Sequence, residues 1–147
     1  MVDYKVLAAI FDFQLIFRAM ATAITEGIHV NIKVTYQAEF SNPHQHHFVF
    51  TYKVTIENKS QHTYQLLTRR WEIYDAAEEV KIVTGEGVVG KQPILEPGES
   101  HSYVSGCNLV SGLGKMRGSY TMEKLYDGKK IDVKVPEFQL IANFLHN

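Results

Sequence analysis

Gly85-Glu86-Gly87-Val88-Val89-Gly90-Lys91-Gln92-Pro93-Ile94-Leu95-Glu96-Pro97-Gly98 is the stretch on which the reading of the fold turns. Its first six residues carry the G-x-G-x-x-G spacing of a dinucleotide-binding loop. In that fold the glycines feed a helix whose N-terminal amides hold a pyrophosphate. Here Pro93 and Pro97 follow within a few residues, and Gly98 after them. A proline inside a helix costs about 3 kcal/mol, so the long crossover helix is excluded. Two readings remain for Gly85 to Gly90. One is a crossing between sheets that needs unusual backbone angles. The other is a concave nest of amides that receives an anion or a partner's carboxylate. A Walker-type loop also fails, because Met116 follows Gly114-Lys115 and Leu109 stands where a glycine is required.

On either side of this stretch the chain alternates with period two, as strands with one buried face do. Ile28, Val30, Ile32, Val34 and Tyr36 form one apolar row, and Phe48, Phe50, Tyr52, Val54 and Ile56 a second. Between them Ser41-Asn42-Pro43 marks a turn. From Thr63 to Tyr74, Leu67, Trp71 and Ile73 share a parity with Gln65 and Arg69, and Trp71 reads as a core plug. Short strands are expected over Glu79–Thr84 and Ser102–Gly106. A longer one covers Lys115–Tyr126, with Met116, Tyr120, Met122 and Tyr126 in step. Tyr126-Asp127-Gly128-Lys129 predicts a hairpin with a two-residue turn. Ile131, Val133, Val135, Phe138 and Leu140 complete the pattern, with Pro136 marking an edge, a bulge or a strand end. The expected fold is all-β: an immunoglobulin or fibronectin type III-like sandwich of about seven antiparallel strands. A closed barrel is the structural alternative.

The chain has 147 residues, 45% of them hydrophobic and 21% charged, with a net charge of −1. One domain of this length buries roughly 68–70% of its unfolded surface and holds without staples. Near-neutral, interspersed charge gives no field for nucleic acid or an anionic membrane. One cysteine, Cys107, excludes an intramolecular disulfide and a multi-cysteine zinc site. Residues 1–19 are apolar but interrupted by Asp12, Gln14 and Arg18, too short a run for a span and lacking a signal peptide's basic start. The expected division is an N-terminal extension over 1–22, outside the native start, and a sandwich domain over 23–147. An extra docked strand or amphipathic helix over 1–19 is the other reading. The compartment expected is the cytoplasm.

Chemistry-bearing patterns are sparse. Neither a G-x-S-x-G elbow nor H-E-x-x-H occurs, and the carboxylates form no evident pair, so no catalytic residue is assigned and no enzyme is expected. Cys107 reads as a small buried hydrophobe. His44, His46 and His47 form the candidate metal site, since imidazole suits borderline divalent cations. His29 or His62 completes it only if the fold brings them close. Arg69-Arg70, Lys115/Arg117 and Lys129-Lys130 read as solvent-facing charge. The residues expected to meet a partner or ligand are Gly85, Glu86, Gly87, Val88, Val89, Gly90 and Lys91, at one end of the sandwich.

Several blocks together resemble the ApaG family, also called CorD. They are Leu66-Leu67-Thr68-Arg69-Arg70-Trp71, Asp75-Ala76, Gly85 to Leu95, Pro97-Gly98-Glu99, Ser105-Gly106-Cys107, Gly114 to Tyr120 and Val135-Pro136-Glu137-Phe138. The resemblance spans roughly Ala23 to Ile141. It implies a fibronectin type III-like sandwich of small bacterial cytosolic proteins linked to cobalt resistance and magnesium homeostasis. It also implies a protein-interaction module, as in eukaryotic F-box proteins, with no cofactor and no settled enzymatic activity. Three positions depart from the family pattern: Arg70 stands for a frequent histidine, Ala76-Ala77 for a common glycine, and Lys91 for a frequent acidic residue. The function expected is a non-catalytic binding module with a protein partner. An anion such as pyrophosphate at Gly85–Gly90, or a divalent cation at His44–His47, is the alternative ligand.

Overall fold

The Gly85–Gly98 stretch contains no helix in the computed structural model of the chain, which describes residues 20–142. Among the described residues nine antiparallel strands form two sheets: β1 (Met20–Thr25), β2 (Ile28–Tyr36), β3 (Phe48–Asn58), β4 (Tyr64–Asp75), β5 (Lys81–Glu86), β6 (Ile94–Leu95), β7 (Ser100–Leu109), β8 (Leu113–Lys124) and β9 (Lys130–Ile141). The first sheet has the order β1-β2-β3-β7 and the second β5-β4-β8-β9, with β6 paired to β4 beside β5. This is the expected sandwich. The two strands beyond the expected seven are β1 and the two-residue β6. β1 starts at Met20, so it takes in residues 20–22 of the stretch expected to lie outside the domain. The expectations for residues 1–19 fall outside the described residues.

The alternation holds where the pairing is regular. Ile28, Val30 and Ile32 on β2 and Phe48, Phe50, Tyr52, Val54 and Ile56 on β3 are buried. Across the layer lie Leu66, Trp71, Met116, Tyr120, Met122, Val133 and Leu140. Trp71 plugs this core, edge-on to Tyr120 and Phe138 with centroids 6.2 and 6.1 Å away. Pro136 sits on an edge strand at an irregularity, where Met116 opposes Phe138 but Gly118 opposes Val135.

Three details correct the expectations. On β4 the register with β8 shifts between Leu66 and Thr68. Tyr64 and Leu66 therefore face inward before the bulge, and Trp71 after it; Gln65 and Leu67 do not share its row. An extra residue in a strand inverts the facing of all that follow. Second, the Asp127-Gly128 connection is longer than a two-residue turn. Lys124 N donates to Lys129 O at 2.8 Å, only Gly128 has positive φ, and Tyr126 is 87% exposed rather than in step with the core. The two-residue turn with positive φ at both centres occurs instead at Glu26-Gly27. Third, the glycine stretch does not cross between sheets, because β5 and β6 both border β4. The crossing follows at Glu96–Glu99, where Glu99 N donates to Glu96 O.

Asn58 anchors that crossing. It is fully buried, and its Nδ2 donates to the carbonyls of His62 (2.7 Å) and Leu95 (2.8 Å). Its Oδ1 accepts from Ser60 N and Oγ. Asn58→Ala leaves two carbonyls without their donor. It is expected to destabilise the fold by roughly 2–6 kcal/mol, at about 1–3 kcal/mol for each unsatisfied group, as read by denaturant unfolding.

On the outer face of the second sheet Glu72 accepts hydrogen bonds from Arg70 and Arg117 and from the Tyr74 hydroxyl. The bond from Arg70, and then that from Arg117, holds the Glu72 carboxyl at about 2 against an ordinary 4.5. A carboxylate depressed in the folded state stabilises it above the unfolded pKa, and that support disappears as pH falls through the folded value. Thermal melts of the parent are therefore expected to drop between pH 4.5 and 2 more steeply than those of Glu72→Gln.

Candidate functional site

The glycine stretch is a tight hairpin. Val88 N donates to Lys91 O (2.8 Å) and Lys91 N to Val88 O (3.1 Å). They enclose Val89 (φ 47°) and Gly90 (φ 73°). Gly87 N and Gln92 Nε2 both donate to Leu67 O, the carbonyl of the bulged residue, at 2.8 and 2.9 Å. A Cβ on Gly87 would stand 2.3 Å from Lys91 O, so the hairpin closes only around glycine there. Val88 is buried, while Glu86, Val89, Gly90 and Lys91 are exposed. The amides of Gly87, Val88 and Lys91 are thus spent inside the hairpin, and those of Val89 and Gly90 remain for an outside group.

The hairpin borders a cleft of about 400 Å³. Its position follows from the strand order. Among the described residues β7 ends the first sheet and β5 ends the second, and the cleft opens between these two free edges. On the opposite side the layers meet, where Lys134 N donates to Thr25 Oγ1 at 3.1 Å. Tyr52, Trp71 and Met116 form the floor; Val83, Val88 and Val89 line one wall, and Tyr103, Ser105 and Cys107 the other.

Arg69 enters the same cleft, which corrects its reading as solvent-facing charge. The bulge at Leu67 puts it on the inward row with Trp71. Its Nη1 donates to the carbonyls of Glu86 and Gly87, both at 2.9 Å. The guanidinium lies against Gly85, where a Cβ would meet it at 2.8–2.9 Å. Among the described residues no carboxylate pairs with it, whereas Arg70 and Arg117 share Glu72 and Lys81 pairs with Glu78. Arg69 is the residue that sequence reasoning missed. A basic pair ahead of a tryptophan does not tell which of its members faces inward.

Of the other charged groups lining the cleft, Lys81 pairs with Glu78, Asp75 accepts bonds from Ser111 and Val110, and Glu79 is an exposed carboxylate. Burial pushes the Cys107 thiol up to about 11, so it is no ready nucleophile. Burial also raises Tyr52 and Tyr103, and the Tyr103 hydroxyl is bonded to that of Tyr120. For Asp75, burial acts to raise the pKa, but bonds from Ser111, Ala77 and Val110 prevail and hold it below the ordinary value. The cleft presents Arg69, which has no paired carboxylate among the described residues, together with hydroxyls, apolar walls and the carboxylates of Asp75, Glu78 and Glu79. That arrangement can bind and orient a group.

His44, His46 and His47 lie on an exposed 3-10 turn, Pro43–Gln45, and the residues after it. His29 is not brought to them. It pairs with Glu57 near the far end of β2, roughly 23 Å away at about 3.3 Å per residue. His62 lies beyond the far end of β3, its ring 6.4 Å from that of Tyr126. Among the described residues no group of three or more His, Cys, Asp or Glu is placed to hold a metal ion. Among the same residues no helix is long and apolar enough to cross a membrane.

Comparison with known proteins agrees with the resemblance. The family model described as the ApaG domain matches residues 38–124. Protein ApaG of Brucella abortus (strain S19) is 45% identical over 121 residues, covering 82% of this chain and 92% of that protein. Protein ApaG of Anaeromyxobacter dehalogenans is 45% identical over 123 residues, with 84% and 96% covered. The crystal structure of the ApaA protein from Bordetella pertussis superposes with a TM-score of 0.76 at 40% identity, covering 80% of this chain and 94% of that one. The chain belongs to the ApaG domain family.

Proposed function

We propose that the protein is a non-catalytic binding module of the cytoplasm and that a protein partner docks at the cleft between β5 and β7, against the hairpin Gly85–Lys91. The observation that carries this reading is the coincidence of features at one place. Among the described residues two strand edges lie unpaired there, an arginine stands between them without a carboxylate, and Val83 and Val89 are exposed on the rim. Exposed apolar side chains rimmed by polar ones mark interaction sites. The neutral thiol and phenols beside them supply no activated nucleophile. The class of partner favoured is a protein of divalent-cation handling, by the family's link to cobalt resistance and magnesium homeostasis.

The test is affinity capture from a cell extract with three baits: the parent, Ser105→Trp, which fills the cleft, and Lys134→Glu on the closed side. Proteins retained by the parent and by Lys134→Glu are expected to be lost with Ser105→Trp, all three baits melting cooperatively. Retention that is the same on all three, or absent from the parent, overturns the reading.

Two smaller-ligand alternatives attach to other residues. An anion would use exposed Lys91 with the free amides of Val89 and Gly90. A weak cobalt site would use His44, His46 and His47. Calorimetry is expected to show no pyrophosphate heat that Lys91→Ala abolishes, and equal cobalt heats in the parent and in H44A/H46A/H47A. A heat lost in either variant moves the assignment to that site.

A further inference from the structure

The free edge of β7 differs from the other long edge of the sandwich. Unpaired edge strands are templates for another chain, and proteins blunt them with charges, prolines and bulges. β9 carries all three: Lys130, Asp132, Lys134 and Glu137, Pro136, and the irregularity opposite Met116–Gly118. β7 carries none. Its ten residues, Ser100–Leu109, contain no Asp, Glu, Lys, Arg or Pro, and its register with β3 runs unbroken from Glu57/Ser100 to Phe48/Leu109. On its outward row Val104 is 61% exposed. β5, across the cleft, is short and bounded by Lys81 and Glu86.

Arg69 stands in that cleft. Tyr52 and Tyr103 line the cleft with it, as do Asp75, engaged by Ser111 and Val110, Glu78, paired with Lys81, and the exposed Glu79. A cation taken out of bulk water is stabilised most by a carboxylate that meets its fork of donors. Two backbone carbonyls hold one nitrogen of Arg69, Nη1. The rest of the fork has no protein acceptor among the described residues.

Together these observations deepen the partner reading above, on which this inference rests. We infer that the occupant of the cleft is an extended, acidic segment of a partner protein. Its backbone pairs with the free edge of β7, and one Asp or Glu side chain turns inward to Arg69. Successive side chains of a strand point to opposite faces. The residues two positions before and after the acid therefore also face the cleft and meet Val83, Val88 or Tyr103, and they are apolar. The recognised pattern is an acid flanked at alternate positions by apolar residues. Backbone pairing supplies affinity in such complexes, and the alternate side chains supply selectivity.

The experiment selects short, fully randomised, acetylated and amidated peptides on the immobilised full-length chain. The selected pool is expected to concentrate Asp or Glu at one position with apolar residues two places on either side. Binding of a selected peptide, followed by fluorescence anisotropy, is expected to weaken about tenfold or more in Arg69→Gln and less in Arg69→Lys, which keeps the charge but not the fork. N-methylation of the peptide's amides is expected to abolish binding at alternate positions only, the mark of strand pairing. A pool without acidic preference, equal binding by Arg69→Gln and the parent, or N-methyl effects without alternation overturns the inference. So does displacement of the peptide by inorganic pyrophosphate alone, or sedimentation showing β7 taken up by a second copy of the chain. If Ser105→Trp abolishes capture from extract while Arg69→Gln retains it, the acidic-strand inference falls and the cleft stands. If Ser105→Trp retains every captured protein, the cleft reading itself falls.

Discussion

One extra residue in β4, Leu67, decides what the interior of the open side contains. Before it Tyr64 and Leu66 face inward; after it Arg69, Trp71 and Ile73 take the inward row. A regular strand would continue the first row through Thr68 and Arg70, leaving Trp71 on the outer face. The core would then lose its largest ring, and the outer face would lose the Arg70–Glu72 pair. The displaced carbonyl of Leu67 receives Gly87 N and Gln92 Nε2, so the same irregularity pins the glycine hairpin. The bulge places the cation and fixes the loop that holds it.

Putting a guanidinium between two sheets incurs desolvation, and an arginine there needs acceptors. The hairpin supplies two carbonyls, and Gly85 supplies the room. Neither is a carboxylate, so the charge is seated without being neutralised. The two sides of the sandwich diverge accordingly. Where β1 and β2 meet β9, the layers close around aliphatic side chains and a backbone-to-threonine bond. Where β5 and β7 end, the layers stay apart, with aromatic floor and polar groups between them. A side closed by packing has nothing left to recognise. The open side, where Arg69 is seated on two carbonyls, does.

Local alternation made most of this fold legible. The rows on β2, β3 and β9 hold because those strands bury one face along an unbroken register. β1 escaped the reading because Met20–Thr25 is short, alternates small residues with Thr and Ile, and buries no residue fully. The parity of β4 failed because a bulge shifts the period without any residue type that announces it. The turns failed in a complementary way. Asp127-Gly128 has the favoured residues but lies in a longer loop, while Glu26-Gly27 and Val89-Gly90 make tight turns without asparagine or aspartate. The glycine stretch was readable as a bend and as no helix start. Its neighbourhood was not, because the cleft exists only through the sheet order, which places β5 and β7 side by side although the chain between them crosses the sandwich. Arg69 gains its meaning from that non-local placement.

Val89 brings the local and non-local arguments together. A β-branched residue at φ 47° is a rare conformation that costs on the order of 1–3 kcal/mol, and glycine or asparagine would take it with less strain. The hairpin holds the angle, since the mutual Val88–Lys91 bonds close a two-residue loop whose favoured turns need positive φ at the first central residue, here Val89. That explains how the strain is tolerated but not why valine is the residue tolerating it, for its side chain is 65% exposed and contributes little to the core. Its neighbour Val88 is buried in the cleft wall and needs no second valine behind it. A strained, exposed, apolar side chain on the rim of a cleft, next to an arginine without a counter-ion, adds to stability only when something covers it. The same physical argument applies to the uncharged edge of β7. Each feature is a local loss for the isolated chain, and all of them face the same opening.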